Sequence, residues 1–118
     1  MEINDLITTQ SVVANLHATS KKQAIQDLAQ KAADITGLHE RAIFDVLMER
    51  ERLGTTGVGN GIAIPHGKLA QLKQLQGMFA RLEVPVDFES IDEQPVELIF
   101  LLLAPESAGA DHLKALAR

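Results

Sequence analysis

Residues 54–67 read GTTGVGNGIAIPHG and place five glycines around a short apolar run that ends in one histidine, His66. The apolar run, residues 61–65, predicts a short and mostly buried strand. Flanking glycines give another molecule close access to the backbone, and a neutral imidazole can act as a nucleophile. The stretch therefore predicts a loop at a sheet edge that presents His66, either for chemistry or as an ordinary loop residue.

Two helices are predicted ahead of this loop. Apolar residues recur at i, i+3, i+4 and i+7 through residues 24–35, and polar residues occupy the other face. This is the pattern of an amphipathic helix with one buried side. Thr19 or Ser20 can cap its start, and Gly37 is suited to its end. A second helix is predicted over residues 40–52, and the glycine that opens the loop stops it.

Strands dominate the rest of the chain. An extended piece is predicted near residues 12–16, and further strands at 61–65, 78–84 and 95–104. The last of these is apolar almost throughout, which indicates that both of its faces are covered. A final helix is predicted from about Asp111. Because helices and strands alternate, the fold class is α/β or mixed α+β, with a sheet covered by helices.

Composition narrows the classes of function. The 118 residues suit a single domain, and the core must be aliphatic because the chain has four Phe and neither Tyr nor Trp. A net charge of −5 argues against nucleic-acid binding. The absence of cysteine excludes disulfides, thiol chemistry and cysteine-based zinc sites. No signal-peptide pattern or membrane-length apolar run occurs, so we expect a cytoplasmic protein without direct membrane insertion.

The glycine-rich loop fits neither of two nucleotide-binding motifs. Gly57-Val58-Gly59 begins a G-x-G-x-x-G pattern, but Ile62 stands where the last glycine belongs, and the loop precedes a strand. Read as a P-loop, the stretch has one residue too many. Leu69 then replaces the Ser or Thr that binds magnesium, and Pro65 has no amide for phosphate. Nucleotide binding is therefore disfavoured.

The four histidines do not form a metal-binding motif. They lie at positions 17, 39, 66 and 112, without an i, i+4 pair or an H-E-x-x-H sequence. His17 falls in a polar turn and His39 at a helix start, so both are expected to be surface residues. A zinc site built from His66, His112 and a carboxylate has no support in the spacing.

Basic residues accompany His66 in an otherwise acidic chain. Arg50 and Arg52 end the preceding helix, and Lys68 follows the histidine by two positions. Such a group indicates an anionic substrate. The alternative is a solvated, charged helix end in which neighbouring glutamates pair with the arginines. Residue types alone leave both interpretations open.

Residues 57–68, GVGNGIAIPHGK, strongly resemble the active-site signature of the enzyme IIA domains of the bacterial phosphoenolpyruvate-dependent phosphotransferase system. The resemblance is to the fructose/mannitol class and is greatest to its nitrogen-regulatory branch. It extends over residues 20–25, 50–57, 94–102 and 111–113 and so spans essentially the whole chain.

The resemblance implies a fold and a set of site residues. The fold is a mixed parallel and antiparallel sheet flanked by helices on both faces. His66 accepts a phosphoryl group on Nε2 while a backbone carbonyl holds Nδ1–H, and Arg50 and His112 donate to the phosphoryl oxygens. Amides around Gly67 and Lys68 add donors. No metal, nucleotide or other cofactor is implied, because the phosphoryl group moves between two imidazoles.

The resemblance also implies partners. The donor is a histidine phosphocarrier protein, and the receiver is either a regulatory target protein or a permease domain. The nitrogen-branch resemblance favours regulation by phosphorylation state. The alternative is a sugar-transport enzyme IIA component, and a binding domain that is never phosphorylated is a third possibility. Residues 1–118 are expected to form a single enzyme IIA-type domain that lacks the family's C-terminal helical portion.

Overall fold

The computed structural model describes residues 12–106. Two helices and six strands follow one another in the order β1 Val12–Leu16, α1 Lys21–Thr36, α2 Glu40–Leu53, β2 Gly57–Gly59, β3 Ile62–Ala63, β4 His66–Leu69, β5 Gln76–Val86 and β6 Val96–Pro105. Both predicted helices are present with ends within a few residues of the expected ones. The helix expected from Asp111 lies outside the described residues.

Local chemistry sets the ends of α1. The Ser20 hydroxyl accepts a hydrogen bond from the Gln23 backbone N–H at 3.1 Å, which satisfies a donor that the first helical turn leaves free. Gly37 ends the helix with φ 77°, and its N–H donates to the Ala33 carbonyl at 2.9 Å. A residue with a Cβ is strained in this left-handed conformation, so glycine is suited to the position.

The six strands form one mixed sheet in the order β1-β5-β6-β3-β2, and β4 also pairs with β6. Strand β6 is antiparallel to β5 and parallel to both β3 and β4. Strand β1 is parallel to β5, and β2 is antiparallel to β3. The predicted mixed α+β fold with a mixed sheet is confirmed. Within residues 12–106 both helices pack on the same face of the sheet, so the expectation of helices on both faces stays a prediction.

The main core lies between the two helices and one face of the sheet. It joins the buried side chains of both helices to those of the central strands, among them Ile25, Leu28, Ile43, Leu47, Met78, Ala80, Ile99 and Leu101. A smaller cluster contains Leu75, Leu102 and Ala104, with Ile64 and Phe100 packed against it. Strand β6 thus contributes to both clusters, as its apolar run predicts. Neither described helix is long and apolar enough to cross a membrane.

The strand predicted to end at His66 has a different structure. Strand β3 stops at Ala63, and β4 begins at His66 itself, so the histidine starts a strand instead of closing one. The interruption has a physical cause, because Pro65 has no N–H to donate and the Ile64 N–H donates to the Thr56 carbonyl instead. The short strand β2 was not predicted.

Candidate functional site

His66 is half-buried at the start of β4, opposite Leu102 of β6. Its Nδ1 lies 2.8 Å from the Ile64 carbonyl oxygen. Because a carbonyl oxygen can only accept, Nδ1 carries the hydrogen in this contact, and Nε2 retains its lone pair. The backbone carbonyl expected at Nδ1 is therefore present, and the more nucleophilic nitrogen is Nε2.

Arg50 approaches the other side of the imidazole. Its Nε donates to His66 Nε2 at 3.2 Å, and its Nη1 donates to the Gly54 carbonyl at 2.7 Å. A guanidinium has no acceptor, so this contact also requires a lone pair on Nε2. Two independent partners thus select the same tautomer of His66. Arg50 also places a permanent positive charge next to Nε2, the nitrogen that carries no hydrogen.

Gly67 explains how α2 comes close enough for this contact. A Cβ at Gly67 would lie 2.2 Å from Cγ1 of Val46 on α2, far inside any van der Waals contact. The helix therefore packs directly on the backbone of β4. Because Arg50 lies one helical turn beyond Val46, this close approach also brings the guanidinium to His66.

The other predicted site residues have different surroundings. Lys68 is exposed on β4, and Arg52 is exposed on α2, where it forms an ion pair with Glu49 at 2.5 Å. The basic residues near His66 in sequence therefore differ in their surroundings. Arg50 contacts the imidazole, whereas Arg52 is solvated at the end of α2. His112 lies outside the described residues.

The remaining two described histidines are exposed, as predicted. His17 Nδ1 lies 2.8 Å from the Glu83 carboxylate, and both side chains are open to solvent. His39 caps α2, since its Nδ1 accepts from the Arg41 N–H at 3.1 Å. Within residues 12–106, no group of three or more potential ligands is arranged to hold a metal ion.

A buried ion pair lies beside the site and was not predicted. The Glu51 side chain is only 3% exposed, and its Oε1 lies 2.9 Å from Lys21 Nζ. The sequence contains a signal for this pair, because Glu51 follows Leu47 by four positions and Ile43 by eight. It therefore continues the buried stripe of α2. An acidic residue on an apolar stripe requires a buried partner.

A tight hairpin connects β2 to β3 just before His66. Asn60 and Gly61 form its turn with positive φ values of 57° and 76°, as type I′ turns require. The Asp92 carboxylate accepts from the N–H of Asn60 at 2.9 Å and from that of Gln94 at 3.1 Å. These backbone donors, the one from Asn60 first, lower the pKa of Asp92 below its ordinary value of 3.8.

Comparison with known proteins identifies relatives over nearly the whole chain. The family model for the phosphoenolpyruvate-dependent sugar phosphotransferase system, EIIA 2, matches residues 5–118. The nitrogen regulatory protein of Bradyrhizobium diazoefficiens is 63% identical over 118 residues, which cover all of this chain and 77% of that protein. The fructose-specific EIIABC component of Bacillus subtilis is 34% identical over 119 residues, which cover this whole chain but 19% of that protein.

The fold has a solved counterpart at useful sequence identity. The crystal structure of the nitrogen regulatory protein IIA-Ntr from Neisseria meningitidis superposes with a TM-score of 0.91 at 38% identity. The match covers 98% of this chain and 79% of that one. High identity to nitrogen regulatory proteins supports a phosphocarrier or regulatory role over a sugar-specific one. The chain belongs to the EIIA 2 family of the phosphoenolpyruvate-dependent sugar phosphotransferase system.

Proposed function

We propose that this protein accepts a phosphoryl group on Nε2 of His66 from a histidine phosphocarrier protein and signals through its phosphorylation state. The observation that carries the proposal is the double restraint on the imidazole. The Ile64 carbonyl holds Nδ1 at 2.8 Å, and Arg50 Nε lies 3.2 Å from Nε2. A family member with this arrangement has a nucleophile already in the required tautomer and a cation beside it.

The transfer step requires little from the protein beyond position and charge. The lone pair of His66 Nε2 attacks the phosphorus of the donor phosphohistidine in line with the donor N–P bond. That bond breaks as the bond to Nε2 forms, and its electron pair stays on the donor nitrogen. No general base is needed, because Nε2 carries no hydrogen when Nδ1–H donates to Ile64.

Arg50 is proposed to exchange one acceptor for another during the step. Once phosphorus occupies Nε2 of His66, the Arg50 Nε donor turns to a phosphoryl oxygen, while Nη1 keeps the guanidinium attached to the Gly54 carbonyl. Charge-assisted hydrogen bonds of this kind stabilise the charge that spreads over the transferring group. His112 is proposed as a second donor from the family resemblance.

Backbone amides after His66 are the remaining candidates for phosphate contacts. The Leu102 N–H donates to the Pro65 carbonyl at 3.0 Å, which fixes the direction of the hydrogen bonds between β4 and β6. In a parallel ladder with this register, the Gly67 N–H points toward β6 and the Lys68 N–H points away from it. The Lys68 amide is therefore the better candidate, and Gly67 serves chiefly the packing of α2.

Phosphorylation of a His66 variant tests the proposal. Wild-type protein incubated with phosphoenolpyruvate, enzyme I and the phosphocarrier protein is expected to gain one phosphoryl group by intact mass, and His66→Ala none. His17→Ala is the matched control, since His17 is exposed and remote in sequence from the site. Circular dichroism establishes that each variant is folded. Phosphorylation of folded His66→Ala at the wild-type rate would refute the assignment.

A second experiment separates regulation from sugar transport. The 63% identity to a nitrogen regulatory protein, against 34% to a fructose-specific component, favours regulation. Phosphorylated protein mixed with fructose- or mannitol-type IIB domains is expected to retain its phosphoryl group. Rapid transfer followed by sugar phosphorylation in the presence of the permease would favour the transport role instead.

A further inference from the structure

The buried Lys21–Glu51 pair is connected to His66 by three successive hydrogen bonds, which the backbone of Thr56 and of Ile64 joins to one another. Both carboxylate oxygens of Glu51 accept from the Thr56 N–H, at 3.3 and 3.2 Å. Lys21 Nζ lies 2.9 Å from Oε1 of the same carboxylate. Glu51, near the end of α2, thus holds the Thr56 N–H of the glycine-rich loop. Lys21, at the start of α1, holds the Glu51 carboxylate in turn.

From Thr56 the series continues to the imidazole. The Thr56 carbonyl accepts from the Ile64 N–H at 2.9 Å, and the Ile64 carbonyl lies 2.8 Å from His66 Nδ1. The orientation of the Ile64 peptide therefore depends on Thr56. The Ile64 carbonyl, in the next peptide group along the chain, is the acceptor that selects the His66 tautomer, so the restraint passes through the backbone of Ile64.

The acceptor for Arg50 belongs to the same loop. The Gly54 carbonyl, which binds Arg50 Nη1, lies two residues before Thr56 in the same loop. The Gly54 N–H in turn donates to the Glu51 backbone carbonyl at 3.1 Å. Displacing the loop would therefore move the guanidinium and the imidazole together.

Lys21 extends the restraint to the segment before β6. Its Nζ is 3.5 Å from the Phe88 carbonyl and 5.7 Å from the centroid of the Phe88 ring. The Thr55 hydroxyl donates to the same carbonyl, and the Gly57 N–H donates to that hydroxyl at 3.0 Å. The ammonium group therefore neutralises a buried carboxylate of α2 and contacts the Phe88 carbonyl, which Thr55 of the loop also binds.

We propose that Lys21 and Glu51 are positioning residues that hold the loop of residues 54–57 so that His66 keeps its Nδ1–H tautomer and Arg50 stays in contact with Nε2. The inference rests on the proposed phosphoryl transfer for its kinetic consequence, but the tautomer can be measured without any donor. Neither residue contacts the imidazole, so the effect passes through the backbone of Thr56 and Ile64.

A paired apolar substitution tests the proposal. Removing one partner leaves an uncompensated charge in the interior and threatens the fold, whereas replacing both with apolar residues of similar size is tolerated far better. In Lys21→Met/Glu51→Leu the acceptor for the Thr56 N–H is lost. Lys21→Arg keeps the charge and is the conservative variant. Asp45→Asn, on the exposed part of α2, is the control for a lost carboxylate.

Two readouts are taken on folded protein. Long-range ¹H–¹⁵N correlation spectra of unphosphorylated protein report the tautomer of His66. Stopped-flow phosphorylation reports the transfer rate. The double variant is expected to show a mixture of tautomers and a rate lower by roughly tenfold or more, since small misplacements of reacting groups have effects of this size. Lys21→Arg and Asp45→Asn are expected to match the wild type.

The outcomes separate the two proposals. A folded double variant with the wild-type tautomer and rate overturns the positioning role and leaves the pair purely structural. A wild-type protein whose His66 carries its hydrogen on Nε2 overturns it as well. If the wild type is not phosphorylated at all, the proposed function fails, and the tautomer spectra of the double variant still decide the positioning role.

Discussion

Replacing Gly67 with alanine should push α2 away from β4. The change should lower both the free energy of unfolding and the rate at which His66 is phosphorylated. The added Cβ lies 2.2 Å from Val46 Cγ1, and 3.6 Å from Val46 Cβ. An ordinary contact with Cγ1 begins at 3.4 Å. Reaching it from 2.2 Å requires that the two atoms move apart by about 1.2 Å. Valine in a helix has one strongly preferred χ1 rotamer, so the helix backbone must provide much of this shift.

The expected cost follows from overpacking. Inserting a methyl group into a packed contact costs about 1–3 kcal/mol. Replacing glycine by alanine also reduces the entropy of the unfolded chain, which offsets about 0.4–1 kcal/mol. Gly67 has no positive φ, so backbone strain adds nothing. The midpoints of these two ranges leave a net loss of about 1.3 kcal/mol in the free energy of unfolding.

Urea denaturation and phosphorylation kinetics together check this prediction. The urea midpoint of Gly67→Ala should fall by about 1 M, and phosphorylation should slow because Arg50 is drawn away from His66. The double variant Val46→Ala/Gly67→Ala removes the clash. It should recover stability relative to the sum of the single variants by at least ~1 kcal/mol and regain most of the rate.

This prediction fails if Gly67→Ala is as stable as the wild type. It also fails if the double variant shows simple additivity, because the two residues would then not be in the contact described. A stable Gly67→Ala with slow phosphorylation that Val46→Ala does not restore would instead indicate that the added methyl group obstructs the approach of the phosphoryl donor to His66.

Two further predictions concern His112 and Asp92. His112→Ala should slow phosphorylation of His66 strongly while leaving phosphocarrier binding largely intact, as measured by stopped flow and calorimetry; wild-type rates would remove His112 from the site. The folded-state pKa of Asp92 is lowered, so its stabilising contacts are complete above the ordinary value of 3.8 and lost as pH falls through the lowered pKa. Hydrogen exchange at the Asn60 amide should accelerate in that acidic range in the wild type, while Asp92→Asn should show no such step.

The helices could be predicted from sequence because their signals are local. The spacing of apolar residues marks the buried face of α1, and Ser20 and Gly37 satisfy the backbone groups at its ends without help from the rest of the fold. Strand β6 could be predicted for a related reason, since its apolar run is short and lies between Pro95 and Pro105, which favours a buried strand over a buried helix.

A strand is predicted over residues 61–65, but the bounds of the short strands around His66 could not be predicted because their partners are distant in sequence. Strands β3 and β4 are held by successive parts of β6, and β3 has only two residues. The break between them depends on the Ile64 N–H, which turns to the Thr56 carbonyl instead of a strand partner. No local pattern encodes that choice.

The site likewise has features that the sequence predicts and features that depend on the fold. The Pro-His-Gly sequence identifies His66 and its family, but the contact with Arg50 requires α2 to pack on Gly67, which only the fold reveals. The charges near His66 gave no means to tell Arg50 from Arg52, because both lie in the last turn of the same helix. Their different roles follow from which side of the helix faces β4.

The last turn of α2 combines two tasks in adjacent residues. Successive residues on an α-helix point about 100° apart, so Arg50 can reach toward β4 while Glu51 turns into the interior toward Lys21. Both then act on the same loop, Arg50 through the Gly54 carbonyl and Glu51 through the Thr56 amide. A rotation of this turn cannot move the guanidinium without straining the buried ion pair. The geometry of His66 therefore depends on the packing of the two helices. A change that loosens that packing should alter the position of the imidazole before it unfolds the sheet.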